Sequence, residues 1–211
     1  MSPTVFIIGA SRGIGRGLVD TFLRAGWDVH ATVRSTNVTL PPSVVTHVLD
    51  VENDEQIEQV ANSVYGNPID LLIHNAGVKP SDKISNDQCL NINTEGPFRV
   101  LKAFMKSITQ PESQKKVCII TSQLGSREKF GGGKTPRDTY GKSKCYLNDK
   151  FRKMEPAWRE NGVKSIVLHP GWVQTDMGGN SAPTTIQESC EGIYKVCVTM
   201  TINCCGKFYT F

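Results

Sequence analysis

Tyr140 and Lys144 stand four residues apart in the stretch TYGKSKCYLNDKF. On a helix, positions i and i+4 share one face, about 6 Å apart along the axis. A phenol has a pKa near 10 in water, so at neutral pH it exchanges protons poorly. An ammonium held about 4 Å away in a partly shielded site contributes roughly 4 kcal/mol, enough to lower that pKa by about three. Such a pair can work as an acid–base group. The spacing alone is common. Three further lysines in the same segment (Lys142, Lys150, Lys153) leave a plain basic helix as the other reading.

More residues with chemistry collect at the ends of apolar runs. Ser122 follows KVCIIT, where a hydroxyl can bond a carbonyl oxygen as charge develops on it. HNAG (74–77) closes a second run with a small, turning tripeptide, and NINTEG (91–96) offers Asn93 near a helix start. HPGWVQTDM (169–177) closes a third with the turn Pro170–Gly171, whose backbone, together with Thr175, can meet a carboxamide. IIGASRGIG places Gly9, Gly13 and Gly15 between a strand and a helix. There the backbone can approach a ligand closely, and a helix N-terminus presents free N–H groups to phosphate. The spacing is G-x-x-x-G-x-G, and a glycine turn also serves as a mere connection. Arg12 lies in that turn, and Arg34 ends the second run with no acid near it. Two guanidiniums suit a 2′-phosphate and favour NADP(H), since arginine grips phosphate bidentately. Exposed surface arginines are the alternative. Asp50, at the end of the third run, can accept from an adenine amino group.

The elements that must position these groups alternate. Strand-like runs are expected at 4–8, 27–33, 44–51, 69–77, 116–122 and 163–171, with a closing strand in GKFYTF. Helical spacing is expected at 13–25, 54–65, 94–108, 139–160 and 186–200. Short, nearly all-apolar strands separated by helices imply a parallel sheet covered on both faces. The fold expected is α/β: one Rossmann-like, doubly wound parallel sheet of about seven strands, as a single domain over 1–211. The segment 177–185 is expected to be a short substrate-side loop within it, and ligands are expected at the carboxyl ends of the strands. Trp27, Phe22 and Phe104 are expected in the core. Trp172 is read either as packing or as a wall of the site, and His30 and His47 as ordinary strand residues.

Composition removes other classes. The 211 residues carry a formal charge of +4, with no basic run of the kind that makes a nucleic-acid tail. Seven cysteines form no C-x-x-C pair, and with four histidines they give no metal-site spacing. The odd cysteine count and a start, MSPTVFIIGAS, unlike a signal peptide point to reduced thiols in the cytoplasm. No apolar stretch has the length of a membrane span.

Over almost its whole length the chain resembles the short-chain dehydrogenase/reductase family. The matching stretches are GASRGIG, LDV, HNAG, NINTEG, the serine of ITS, YGKSK and PGWVQTDM, in the family's order. The resemblance implies a catalytic tetrad of Asn93, Ser122, Tyr140 and Lys144, with Asn75, Ala76 and Gly77 supporting the sheet and lining the cofactor. Within the matched motifs, Ser11, Ile14, Val51 and Val173 join Gly9, Arg12, Gly13, Gly15, Arg34, Asp50, Pro170, Gly171 and Thr175 as candidate cofactor-binding residues, along with Tyr140 and Lys144. Two positions depart from the pattern. Ile8 replaces the usual Thr, which removes one structural hydrogen bond. Ser122 and Tyr140 stand 18 positions apart, so the GGGK loop looks like an insertion. The 177–185 segment and the tail resemble the sniffer and C-factor-like carbonyl reductases, although a further strand-turn usual there is missing after Phe211. GASRGIGRGL also resembles fungal polyketide ketoreductases.

The activity implied is NADPH-dependent reduction of a ketone or aldehyde, with a small carbonyl compound as partner and a homodimer or homotetramer as the possible assembly. In that scheme Tyr140 donates the proton, Ser122 steadies the oxygen, Lys144 holds the nicotinamide ribose and lowers the phenol's pKa, and Asn93 supports a water that returns the proton. The competing class is a signalling protein that binds cofactor without relevant catalysis. The length argues against an extended-branch epimerase.

Overall fold

The computed structural model describes residues 2–110, 113–129 and 138–211. The GGGK stretch expected as an insertion lies outside them. Seven strands, all parallel, form one sheet: β1 (Thr4–Ile8), β2 (Asp28–Val33), β3 (Val45–Val48), β4 (Leu71–His74), β5 (Lys116–Ile120), β6 (Lys164–His169) and β7 (Phe208–Thr210), in the order β3-β2-β1-β4-β5-β6-β7. The sequence order reverses between β1 and β4, where the crossovers leave a crevice at the strands' carboxyl ends. All seven expected strands form.

Side chains of a strand alternate between faces, and each face of β1 feeds its own core. Val5 and Ile7 join Leu18 and Phe22 of α1 (Gly13–Arg24) and Ile193 and Cys197 of α6 (Ile186–Val198). Phe6 and Ile8 join Ile57 of α2 (Asp54–Ser63), Leu101 and Phe104 of α4 (Gly96–Ile108) and Leu147 and Phe151 of α5 (Thr139–Glu160). Trp27, Phe22 and Phe104 are core residues, as expected.

Several boundaries differ from the expectation. The fourth strand stops at His74 because the Asn75 and Ala76 N–H groups both turn back to the Ile8 carbonyl, at 3.0 and 2.9 Å. The third is four residues long, not eight. The helix expected from Thr94 begins at α3 (Asn86–Leu90), whose N-terminus is closed by a reciprocal Ser85–Gln88 capping box. Asn- and Asp-rich sequence has weak helix propensity, so this start is set by its cap. Between α3 and α4 the helix widens into a π turn, Asn91–Glu95, just ahead of Pro97. The α-helical partner of the Asn93 carbonyl would be the N–H of residue 97, which proline lacks.

His30 and His47 lie in β2 and β3, as expected. His30 Nδ1 and His47 Nε2 lie 3.1 Å apart, with both rings beside Phe6. Burial lowers His30, and lowers His47 and His169 to about 4 and the wholly buried His74 to about 3. A group depressed in the folded state keeps its stabilising effect above its unfolded pKa, near 6.5, and loses it as pH falls. His74 alone should cost about 3 kcal/mol by pH 4. Thermal denaturation against pH should therefore show Tm falling from near pH 6.5, before carboxylates titrate. A flat Tm between pH 6.5 and 5 would contradict this.

Candidate active site

The carboxyl ends of the strands enclose a cleft of about 1010 Å³, large for a cofactor-sized site. Ser11, Arg12, Gly13, Ile14, Arg34, Asp50 and Val51 line its β1–β3 end. Ser122, Tyr140, Lys144 and Trp172 line the other, and Asn75, Ala76 and Gly77 lie between them. Pro170, Gly171, Val173 and Thr175 close the side after β6.

The glycine turn has room for a ligand because of how it packs. Gly9 adopts φ +85°, and a side chain there would fall 2.8 Å from the Ala76 backbone. α1 has no side-chain cap and no acid in its first turn, whereas α2, α3, α5 and α6 are capped by Asn53, Ser85, Asp138 and Thr185. Its first N–H groups and positive dipole end are thus directed at the cleft. The Gly9 N–H donates to the Thr32 hydroxyl at 2.9 Å and its carbonyl accepts from Asn75 Nδ2 at 2.7 Å, so the junction is held despite Ile8. Gly9 and Gly13 line the cleft, but Gly15 lies behind it: a Cβ there would stand 2.0 Å from the Gly9 oxygen. Gly15 thus serves helix–strand packing, a role its place in the glycine turn did not by itself indicate.

Arg12 and Arg34 reach the same end of the cleft, but their settings differ. The Arg12 guanidinium pairs with Asp176 at 3.0 Å, both side chains three-quarters exposed. Arg34 is exposed and enters none of the ion pairs among the described residues. Asp50 accepts from the Glu52 N–H at 3.0 Å. Thr175 packs on Gly13, where an added Cβ would meet its methyl at 3.3 Å.

At the other end Ser122 and Tyr140 line the same cleft across their 18 positions, the serine hydroxyl near enough to draw the phenol's pKa down. Two contacts set this register. Gly125 lies so close to α5 that a Cβ would stand 2.6 Å from the Lys144 carbonyl carbon. Thr121 donates to Asn148 Oδ1 of α5 at 2.7 Å. Asp138 starts the helix by accepting the Gly141 N–H at 2.8 Å, which fixes where Tyr140 emerges. Lys144 is buried and donates to the Ile120 carbonyl at 3.0 Å. Its ammonium and Asn93 Oδ1 converge on Gly77, at 3.4 and 3.1 Å from an added Cβ.

Asn93 does not line the cleft; it is fully buried beneath it. Its Oδ1 accepts from Val78 N at 2.8 Å, and its Nδ2 donates to the Val78 carbonyl at 2.8 Å and to Ser143 Oγ at 2.9 Å. Both amide hydrogens are engaged, so any water it supports must use its main-chain carbonyl.

Burial decides the titration behaviour here. It pushes Tyr140 up to about 12, outweighing the downward pull of the Ser122 hydroxyl, and brings Lys144 down to about 8. The shift of Tyr140 runs opposite to the expected lowering by its lysine, because removing the phenol from water disfavours its charged form.

Sequence reasoning missed three contributors. Ser143, fully buried, accepts from Asn93 and donates to the Tyr140 carbonyl at 2.7 Å; its place one residue before Lys144 in YGKSK was the available signal. Asn148 stands one turn beyond Lys144 on the same helix face. Lys79, 5.3 Å from the Tyr140 ring centroid, carried no signal. Trp172, left between packing and wall, is 52% exposed and lines the cleft, its indole N–H held by the Gly178 carbonyl at 2.7 Å.

Comparison with known proteins agrees with this layout. The family model for short chain dehydrogenase matches residues 3–185. The C-signal protein of Myxococcus xanthus is 33% identical over 158 residues, covering 72% of this chain and 93% of its own. The NADPH-bound carbonyl reductase from chicken fatty liver superposes with a TM-score of 0.87 at 26% identity, over 99% of this chain and 91% of that one. The carbonyl reductase Sniffer of D. melanogaster does so with 0.84 at 25% identity, over 100% and 96%. With its glycine turn, its seven parallel strands and its serine, tyrosine and lysine gathered at one end of a single cleft, the chain belongs to the short-chain dehydrogenase family.

Proposed function

We propose that this protein is an NADPH-dependent carbonyl reductase. The observation that carries the reading is the convergence of Ser122, Tyr140 and Lys144 at the far end of the cleft from the glycine turn. The chicken relative crystallised with NADPH and the Sniffer carbonyl reductase support it.

A reduced nicotinamide, when bound, supplies the hydride. The uncapped first turn of α1, with Ser11 and Ile14 beside it, holds the diphosphate. Arg34 takes the 2′-phosphate, and Arg12 joins it through the guanidinium donors that its pair with Asp176 leaves free. Asp50 and Val51 border the adenine, and Asn75, Ala76 and Gly77 line the path of the ribose. Pro170, Gly171, Val173 and Thr175 wall the carboxamide side, and Lys144 bonds the second ribose.

Ser122 donates to the carbonyl oxygen of the substrate, and Tyr140 transfers its proton to that oxygen as the alcohol forms. A phenol held near 12 is fully protonated at neutral pH, the state that reduction needs; oxidation would need it as a base. Lys144, and a water at the Asn93 carbonyl, return a proton to Tyr140.

The substrate is a small ketone or aldehyde. An aromatic polyketide is a narrower reading of the same chemistry, resting on the resemblance of the GASRGIGRGL stretch. Assembly as a homodimer or homotetramer through α5, where Tyr146 and Met154 are exposed, is part of the proposal. So is residence in the cytoplasm; among the described residues no helix is long and apolar enough to cross a membrane.

The relative with the name C-signal favours a second reading, a signalling protein that binds cofactor without turnover. A panel of aldehydes, quinones and diketones with NADPH separates the two. The reductase reading expects NADPH oxidation matched one to one by alcohol. NADPH binding with no oxidation on any compound would favour the second.

A further inference from the structure

One cation in the substrate half of the cleft has no part in the proton transfer. Lys79 follows the Asn75–Gly77 turn after β4 and is exposed at the mouth of the cleft. Its Nζ stands 5.3 Å from the centroid of the Tyr140 ring and donates to the Met177 carbonyl at 3.3 Å. It also borders a second hollow of about 460 Å³, shared with Tyr140, Leu124 and Asp138.

Among the described residues no carboxylate is in direct contact with it, and no ion pair uses Lys79. Of the nearby carboxylates, Asp138 caps α5 through the Gly141 N–H, and Asp176 is paired with Arg12. The other lysine lining the cleft, Lys144, is directed at the Ile120 carbonyl. An ammonium has three donors, and an uncharged carbonyl occupies one of them without neutralising the charge. Met177, whose carbonyl Lys79 meets, adds apolar surface to a mixed lining, as do Leu124 and Trp172, whose ring is held by Gly178. A cation next to the reacting group, with apolar surface in the same cleft, suits a carbon frame that carries an anion.

We propose that Lys79 binds a carboxylate on the substrate, a few bonds from the reacting carbonyl, so that the preferred substrates are oxo acids with an apolar frame. This rests on the reading of Tyr140 as proton donor to a carbonyl.

The test compares an oxo acid with its methyl ester, which keeps frame and reach but lacks the charge. With NADPH, the wild-type protein should favour the acid about ten- to thirtyfold in kcat/KM, the range of a charge-assisted hydrogen bond near solvent. In Lys79→Met the acid-to-ester ratio should fall toward one through a higher KM for the acid. Lys79→Arg should restore it and Lys79→Glu invert it. A second readout needs no turnover: with NADP present, the corresponding hydroxy acid should raise the Tm of the wild-type protein and lose most of that effect in Lys79→Met. An acid-to-ester ratio near one in the wild type, with the ester turned over, would overturn the proposal and leave carbonyl reduction standing. So would equal losses on both compounds in Lys79→Met, the mark of a lysine that only holds Met177. Failure of the whole carbonyl panel would remove the parent reading, and this one with it.

Discussion

Tyr140→Phe should bind NADPH with wild-type affinity and lose about a thousandfold in kcat. The ring is half-buried in the wall of the cleft, and removing one oxygen leaves its surroundings in place. What disappears is the proton donor, and general acid catalysis of this kind contributes about 10²- to 10⁴-fold. A thousandfold loss corresponds to about 4 kcal/mol of barrier. Fluorescence titration with NADPH and single-turnover kinetics separate the two quantities. Turnover within about fivefold of wild type would remove Tyr140 from the chemistry. Lost NADPH affinity would instead make the phenol a cofactor ligand first.

Gly15→Ala should have the largest effect on the scaffold. The added methyl would lie 2.0 Å from the Gly9 carbonyl oxygen and 2.6 Å from Asn75 Nδ2, both in the junction that joins β1, α1 and β4. Neither is the free end of a flexible side chain: the oxygen is backbone, and Asn75 Nδ2 already bonds it at 2.7 Å. Forcing atoms into packed space costs about 1–3 kcal/mol, and here the upper end applies because backbone must move. In a chain of this size that is a fall in Tm of about 6–12 °C, present without any nucleotide. NADPH affinity should fall as well, since the turn that carries Gly9 and Gly13 shifts. An unchanged Tm with weakened NADPH binding would contradict the packing role of Gly15.

These two residues show where sequence was a sufficient guide and where it was not. The helix 139–160 and its Tyr140–Lys144 face were legible because helical spacing is local, and the observed bounds are Thr139–Glu160. The parallel sheet was legible because short apolar runs alternating with helices have few other solutions. Gly15 was recognised as special, but its packing role was hidden: sequence shows that a position lacks a side chain, not which atom fills the space. The start at Asn86 was missed because Ser85 and Gln88 act through a cap while the residues after them have weak helical preference. The direction of the Tyr140 shift was out of reach for a different reason. Distance to a lysine can be read from spacing, but desolvation is a property of the assembled core.

Loop partnerships were hidden most completely. Arg12 meets Asp176, and Lys79 meets Met177, across more than 90 positions of chain. Nothing periodic connects them; they depend on the path of the turn after β6. Asn93 is an intermediate case. Its motif marked it, yet only the bonds to Val78 and Ser143 reveal that its side chain holds the β4 end against α5.

The most direct measurement is the fate of hydrogen from the nicotinamide. With NADPH carrying deuterium at both C4 positions, the wild-type protein should convert a ketone to an alcohol with one deuterium on the former carbonyl carbon, and Tyr140→Phe should yield almost none. Alcohol formed without that label, or NADPH left intact on every ketone and aldehyde offered, would contradict the account.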